Sequence, residues 1–201
     1  MQERKLMELA EAAGNIAIVG HVRPDGDCVG SCLAVCNYIT EQYPEKTVDV
    51  YLETPPAKFS YLKQFERICS DPDTGNQYDL CICLDSGDRE RLGKNVVYLN
   101  TAKTSICIDH HITNQGYAAA NFVKADASAT CEALYDFLDE EKISRDVAEC
   151  IYTGILHDTN VFKNSNTTQR TMQVAGAMMA KGINFSRIID ESFYRKTYVQ
   201  N

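Results

Sequence analysis

The chemistry of this chain begins with its histidines. There are four, His21, His110, His111 and His157, and each lies in or beside an acidic motif. His21 opens His21-x-x-x-Asp25-x-Asp27, Asp109-His110-His111 is a contiguous triplet, and His157 is followed by Asp158. Asp85 stands in a further acidic stretch, LDSGD. A lone histidine is most often a satisfied core or surface residue, but four out of four beside carboxylates points to a shared site. Carboxylates crowded together raise each other's pKa, and divalent cations remove that penalty. Imidazole and carboxylate donors without thiolate suit Mn2+, Fe2+, Co2+ or Zn2+ better than Ca2+. Asp25, Asp27, Asp85 and Asp158 supply four negative charges, which two divalent ions would cancel, moving the formal net charge from −8 to −4. Two such ions about 3.5–4 Å apart can share a carboxylate and a bridging hydroxide, and can clamp the non-bridging oxygens of a phosphoryl group. The expected reaction is hydrolysis of a phosphoester or phosphoanhydride without a covalent intermediate.

The elements around these motifs explain how they would meet. NIAIVG (15–20) and DLCICL (79–84) are continuous apolar runs, and TSICI (104–108) is a third; each reads as a buried parallel strand. The first is followed directly by HVRPDGD, the second by DSGD and the third by DHH. In an open parallel sheet the loops beyond the carboxyl ends of the strands converge on one crevice. TVDVYL (47–52) alternates like a strand, and AANFV (119–123) reads as a strand at an edge. Helices are expected at 3–13, ended by Gly14, and at 26–43, ended by Pro44; a short one is expected at 55–65 after Pro55 and Pro56. DPDTGNQ (71–77) has turn chemistry. Further helices are expected at 128–141, 144–157, 167–181 and 185–194. Strand and helix alternate first and helices dominate later. The expected fold is α/β, with a mainly parallel sheet, helices on both faces and a helix-rich C-terminal half.

Composition narrows the function classes. The chain has 201 residues, 44% of them apolar and 24% charged, with 20 basic and 28 acidic side chains. These are globular proportions. A surface of net charge −8 repels a long nucleic-acid duplex. No run of eighteen apolar residues occurs, so no membrane span is expected. MQERKLMELAEAAG is amphipathic and carries acids, unlike a signal peptide. Nine cysteines, an odd number with no C-x-x-C pair, read as reduced thiols in a cytoplasm. Cys28, Cys32 and Cys36 share one helix face, as small packing residues or as a metal or redox triplet; Cys81, Cys83 and Cys107 read as buried strand residues.

Taken in order, HVRPDGDCVGS, LDSGDRERLG, Asp109-His110-His111 and GILHDTNVFKNSNTT resemble the motifs of the DHH phosphoesterase superfamily. The likeness runs over about residues 14–194. In detail it is most similar to the bacterial branch of oligoribonucleases that also dephosphorylate 3′-phosphoadenosine 5′-phosphate. The resemblance implies that His21 and Asp25 bind one metal, that Asp27, His110 and Asp158 bind a second, and that Asp85 bridges them. It implies Mn2+ as the usual ion, with Mg2+ or Co2+ as substitutes. His111 would face the phosphate as hydrogen-bond donor or general acid, and Asp109 would orient a histidine. Ser31, Arg89 and Asn160 are candidate substrate contacts. Arg91 is another, although an exposed helical turn is the favoured reading for both arginines. SATCE (128–132) matches a stretch near the family's site, and also reads as a helix start capped by Ser128. NSNTT (164–168) matches a polar turn, and also reads as a cap for the next helix. His157 has no family role.

Two departures stand out. Asn160 occupies a position where glycine is common in the family. The chain also stops at ESFYRKTYVQN, near where a linker to a C-terminal substrate-binding domain would begin. On this reading residues 1–190 form the catalytic domain and 191–201 the start of the linker. The resemblance implies a short nucleotide as substrate and allows a homodimer. A cyclic or linear dinucleotide phosphodiesterase and a family II inorganic pyrophosphatase share the metal motifs. A single-strand DNA exonuclease would need a basic path that is not evident here. A binding module that retains metal without turnover is the alternative from a different class.

Overall fold

The computed structural model describes residues 3–72 and 75–194. Residues 73 and 74 of the expected turn, and residues 195–201 of the expected linker, lie outside the described residues.

Among the described residues the strands form one six-stranded sheet, all parallel, ordered β3-β2-β1-β4-β5-β6. The strands are β1 (Asn15–Val19), β2 (Thr47–Tyr51), β3 (Ile68–Cys69), β4 (Leu80–Leu84), β5 (Thr104–Asp109) and β6 (Ala120–Val123). The chain runs outward from β1 to β2 and β3, then returns to the other side of β1 for β4. The switch of direction therefore falls between β1 and β4, whose carboxyl ends carry His21 and Asp85. A crevice at such a switch point is where open α/β sheets hold ligands.

The helices are α1 (Glu3–Ala12), α2 (Gly26–Gln42), α3 (Val96–Thr101), α4 (Thr130–Tyr135), α5 (Arg145–Asp158), α6 (Gln169–Ala180) and α7 (Phe185–Ile189). They cover both faces unequally. On the thick side, Ile16, Ile18, Leu80, Ile82, Leu84, Ile106 and Ile108 pack under residues of α1, α2, α4, α5 and α6. On the thin side, Ala17, Val19, Cys81, Cys83 and Cys107 meet Leu92 and Tyr98, the latter on α3. The strands are buried on both sides, which is why their sequences are apolar runs. Small cysteines on the thin side leave room for Tyr51, Tyr78 and Tyr98, and Tyr51 stacks on Tyr98 at 4.1 Å.

The central helix α2 is buried from Gly26 to Ile39, so its sequence lacks the polar stripe of a surface helix. Cys28, Cys32 and Cys36 are fully buried packing residues there. Facing α2 is α5, started by the Ser144 side chain accepting from Val147 N–H. A side chain in place of Gly154 would meet the Asp27 carboxylate at 2.5 Å, so the bare backbone lets α5 approach that residue.

Several expectations are corrected. Residues 55–65 do not form a helix. They make a 3-10 turn at Ala57–Phe59, and Gln64 at φ 64° breaks the path before a second at Phe65–Arg67. The helix expected at 128–141 stops at Tyr135, where i to i−3 bonds take over through Leu138 and carry Phe137 into the core. A π-helical turn, Asp190–Tyr194, follows α7. Within the stretch expected as the start of a linker, Ser192 is buried: Tyr61 Oη lies 2.8 Å from its Oγ and 3.0 Å from Thr153 Oγ1, while Tyr194 is exposed. Among the described residues no helix is long and apolar enough to cross a membrane.

Candidate metal centre

Three strand ends and two helix ends build one site. His21 lies just beyond β1, Asp85 directly after β4, and Asp109 closes β5 before His110 and His111. Asp27 sits in the first turn of α2, and Asp158 is the last residue of α5. The structure thus brings His21, Asp25, Asp27, Asp85, Asp109, His110, His111 and Asp158 into one crevice.

Each imidazole is oriented by its second nitrogen. His21 Nδ1 lies 2.8 Å from the Val22 carbonyl and His110 Nδ1 lies 3.3 Å from the Ala127 carbonyl. Carbonyls only accept, so Nδ1 carries the proton in both and Nε2 is left as the ligating atom. His21 Nε2 faces Asp85 Oδ2 at 3.4 Å and Asp25 Oδ1 at 3.8 Å. His110 Nε2 faces Asp158 Oδ2 at 3.1 Å, Asp85 Oδ1 at 3.7 Å and Asp27 Oδ2 at 4.0 Å. Asp85 therefore turns one oxygen toward each imidazole. It is 2% exposed and adopts φ 54°, a backbone conformation that non-glycine residues take only where the surroundings hold them.

The carboxylates are held as firmly. Asp25 caps α2, its Oδ1 accepting from Asp27 N–H at 3.0 Å and Cys28 N–H at 3.1 Å. Asp27 is fully buried; its Oδ2 accepts from Thr130 N–H at 2.6 Å and its Oδ1 from Cys131 N–H at 2.9 Å. Thr130 Oγ1 also donates to Asp85 Oδ1 at 3.0 Å. Asn164 and Asn166 donate to the Asp158 carbonyl at 3.0 and 3.3 Å.

The charges are out of balance. Burial and the neighbouring Asp85 and Asp158 push the Asp27 carboxyl well above its ordinary value, and burial likewise raises Asp158. Burial alone would lower the two histidines, yet Asp25 and Asp85 drive His21 well up, and Asp158, Asp27 and Asp85 do the same to His110. Asp25 is held down at about 2: burial opposes this, and His21 and the cap N–H groups outweigh it. Without cations, protons gather where carboxylates crowd. This donor set fits divalent metal ions.

Among the described residues, three groups have donor atoms that lie within 4.8 Å of one another inside the group: His21, Cys28 and Asp85; Asp85, His110 and His111; and Asp27, His110 and Asp158. Cys28 was not foreseen as a neighbour of the site. Burial raises its thiol well above the usual value, which keeps the sulfur protonated, so it is a poor ligand. Asp109 is fully buried and accepts from His111 Nδ1 and from Asn114 Nδ2, both at 2.7 Å. Burial would raise its pKa, and these two bonds lower it. Asp109 thus fixes the orientation of the His111 ring.

The substrate candidates fare differently. Ser31 is fully buried and donates to the Cys28 carbonyl at 3.2 Å within α2, so it cannot touch a substrate. The Arg89 guanidinium binds Asn100 Oδ1 on α3 instead of entering the crevice. Arg91 is the arginine that enters, with Nη1 3.3 Å from His111 Nε2. Asn160 is exposed two residues beyond Asp158 and opens a left-handed run, with φ 47° followed by Val161 at 56° and Phe162 at 62°. Thr159 Oγ1 accepts from Phe162 N–H at 3.0 Å and steadies it.

SATCE proves to be the clamp on Asp27 and Asp85. Its helix is capped at Ala129 rather than Ser128, while Ser128 N–H and Oγ both donate to buried Glu132. NSNTT serves twice, since Thr168 caps α6 through a capping box while Asn164 and Asn166 hold the Asp158 turn. His157 is a packing residue. Its ring stacks on Phe193 at 4.4 Å, meets Phe59 edge-on at 4.9 Å, and would lie 2.2 Å from a Cβ at Gly26. It presses directly on the turn that carries Asp25 and Asp27.

Comparison with known proteins finds relatives of this chain in sequence and in fold. The sequence model of the DHH family, N-terminal domain, matches residues 15–155. The chain is 30% identical over 184 residues to the bifunctional oligoribonuclease and PAP phosphatase NrnA of Bacillus subtilis, covering 89% of this chain and 57% of that one. It is 31% identical over 187 residues to the probable bifunctional oligoribonuclease and PAP phosphatase NrnA of Streptococcus mutans, covering 92% and 58%. The chain thus spans less than two thirds of the length of these curated relatives. Among solved structures, an exopolyphosphatase-related protein from Bacteroides fragilis aligns at TM-score 0.89 and 24% identity, over 98% of this chain and 61% of that one. A putative family II inorganic pyrophosphatase from Methanococcus jannaschii aligns at TM-score 0.64 and 17% identity, over 88% and 60%. At these identities the two structures share the fold.

Proposed function

Because this chain belongs to the DHH family and carries its N-terminal domain, we propose that it hydrolyses phosphoester bonds of short nucleotides, oligoribonucleotides or 3′-phosphoadenosine 5′-phosphate, with two divalent cations, manganese foremost. The observation that carries this reading is the division of Asp85 between two imidazole–carboxylate groups, one oxygen toward His21 Nε2 and the other toward His110 Nε2. His21, Asp25 and Asp85 would hold one cation, and Asp27, His110, Asp158 and Asp85 the other. Bound there, the cations would polarise the phosphoryl group and lower the pKa of a bound water. The likeness to the NrnA proteins supports the substrate class.

The chain's own residues do the rest. Asp109 fixes the His111 ring through Nδ1. Its Nε2, at the mouth of the crevice, is then placed to take a proton from the attacking water and give it to a leaving oxygen. Thr130 holds Asp85 in its divided orientation. The acidic surface favours short, mobile substrates over a long duplex.

The test is turnover of a diribonucleotide and of 3′-phosphoadenosine 5′-phosphate by the whole chain, with Mn2+ and then with chelator. Turnover that chelator abolishes and Mn2+ restores is expected. Nucleotide binding without product would make the protein a metal-retaining binding module, and neither binding nor product would contradict the reading.

A further inference from the structure

Among the cations near the crevice, Arg91 has an unusual set of partners. It lies in the 3-10 turn Glu90–Asn95, and its backbone is fixed on both sides: its N–H donates to Asp88 Oδ1 at 2.8 Å, and its carbonyl accepts from Val22 N–H at 2.7 Å. Leu92, the next residue, is fully buried and anchors the turn. The half-buried guanidinium is thereby delivered beside His111 Nε2, 3.3 Å from Nη1. That nitrogen accepts, because His111 Nδ1 already donates to Asp109.

A guanidinium next to several aspartates ordinarily takes one as partner. Arg91 does not: among the described residues no carboxylate oxygen lies within 4.0 Å of it. Asp109, the acid nearest in the chain of contacts, is covered by His111 and occupied by His111 and Asn114. Arg91 therefore keeps its full charge, with one N–H on an imidazole and four more to give. A planar fork of donors with no carboxylate to neutralise it is suited to a phosphate group. Arg89, two residues earlier, makes the contrast, because its guanidinium is turned away onto Asn100.

We infer that Arg91 binds the phosphoryl group of the substrate at the His111 side of the crevice, making it a substrate-binding residue of the proposed reaction. On phosphate arrival the guanidinium turns its free N–H groups to the non-bridging oxygens and releases His111 Nε2. The inference rests on the phosphoester reading above, and the experiment separates the two.

The whole chain and its Arg91→Ala, Arg91→Lys and Arg89→Ala variants are compared for Mn2+ affinity, for binding of adenosine 5′-monophosphate in the presence of Mn2+, and for diribonucleotide turnover. Arg91→Ala should weaken nucleotide binding and lower kcat/KM by roughly a hundredfold or more, as for loss of a donor to a transferring group. Its Mn2+ affinity and thermal midpoint should stay unchanged. Arg91→Lys should restore only part, because a point charge does not reproduce the fork. Arg89→Ala should match the unaltered chain. Nucleotide affinity and turnover unaffected by Arg91→Ala would overturn the assignment, as would a parallel loss of Mn2+ binding or an equal loss in Arg89→Ala. If the unaltered chain neither binds nor cleaves, the phosphoester reading itself fails, and the assignment with it.

Discussion

The two ligand groups on either side of Asp85 are built by different means. His21 and Asp25 stand four residues apart on a single loop, and Asp25 doubles as the cap of α2 with its side chain 56% exposed. Asp27, His110 and Asp158 come from three separate elements, and Asp27 is buried, with two backbone N–H groups of α4 holding its carboxylate. The first group is local, and its Asp25 is open to solvent while His21 is buried. The second is assembled by long-range contacts and tied to the core. Metal affinity on the second side should therefore be coupled to folding, and on the first side much less.

Replacing one aspartate on each side tests that difference most strongly. Asp27→Ala leaves the Thr130 and Cys131 N–H groups buried without acceptors, at a cost of about 1–3 kcal/mol each, partly offset by relief of its repulsion with Asp85 and Asp158. Asp25→Ala removes a helix cap worth about 1 kcal/mol. Urea unfolding in chelator should rank Asp27→Ala clearly below Asp25→Ala, and equal losses would remove the distinction. Gly26→Ala comes next, since it drives a methyl group into the His157 ring; overpacking of this kind costs about 1–3 kcal/mol. Adding His157→Gly should recover stability and Mn2+ affinity despite the second lesion, whereas additive losses would show that the two residues do not press on each other.

The sharper, smaller test is Thr130→Val, which keeps the backbone clamp on Asp27 and removes the hydroxyl from Asp85. Supporting contacts to metal ligands are commonly worth about 10–100-fold in affinity. Calorimetry should show a loss toward the lower end of that range, restored by Thr130→Ser. The smallest effect is with pH. His21 and His110 have raised pKa values, the latter about 10, so the metal-free protein holds protons there at neutral pH; burial raises Asp27 and Asp158 as well, while Asp25, at about 2, is ionised. Cations must displace those protons, so Mn2+ affinity should fall as pH drops from about 8 to about 6, with protons released on binding. Calorimetry in buffers of different ionisation enthalpy reads that release directly; no release would contradict the proton load.

Much of this site could be read from residue types and strand ends. NIAIV, LCICL and TSICID are apolar because both sheet faces are covered, and a ligand that follows such a strand must emerge at its carboxyl edge. The convergence of His21, Asp85 and the Asp109–His111 triplet follows from that alone. What escaped the sequence depends on tertiary contact. Arg89 and Arg91 are equivalent in composition, and only the turn fixed to Val22 sends one inward and the other to Asn100. Ser31 lies in a motif rich in site residues but points along α2 into the core. Thr130 supports Asp27 and Asp85 from 103 and 45 residues away; the likeness of SATCE placed it near the site, but the carboxylates it holds follow only from tertiary contact. The helices at 55–65 and 128–141 failed because a left-handed Gln64 and the burial of Phe137 outweigh helical spacing.

The claim on which the rest depends is that Asp85 serves two cations at once. Titrating Mn2+ into the metal-free chain and into Asp85→Ala, with calorimetric stoichiometry as the readout, tests it most directly. The account predicts two ions per unaltered chain and loss of tight binding at both positions in the variant, which stays folded. A single ion per unaltered chain, or a variant that keeps both at undiminished affinity, would contradict it.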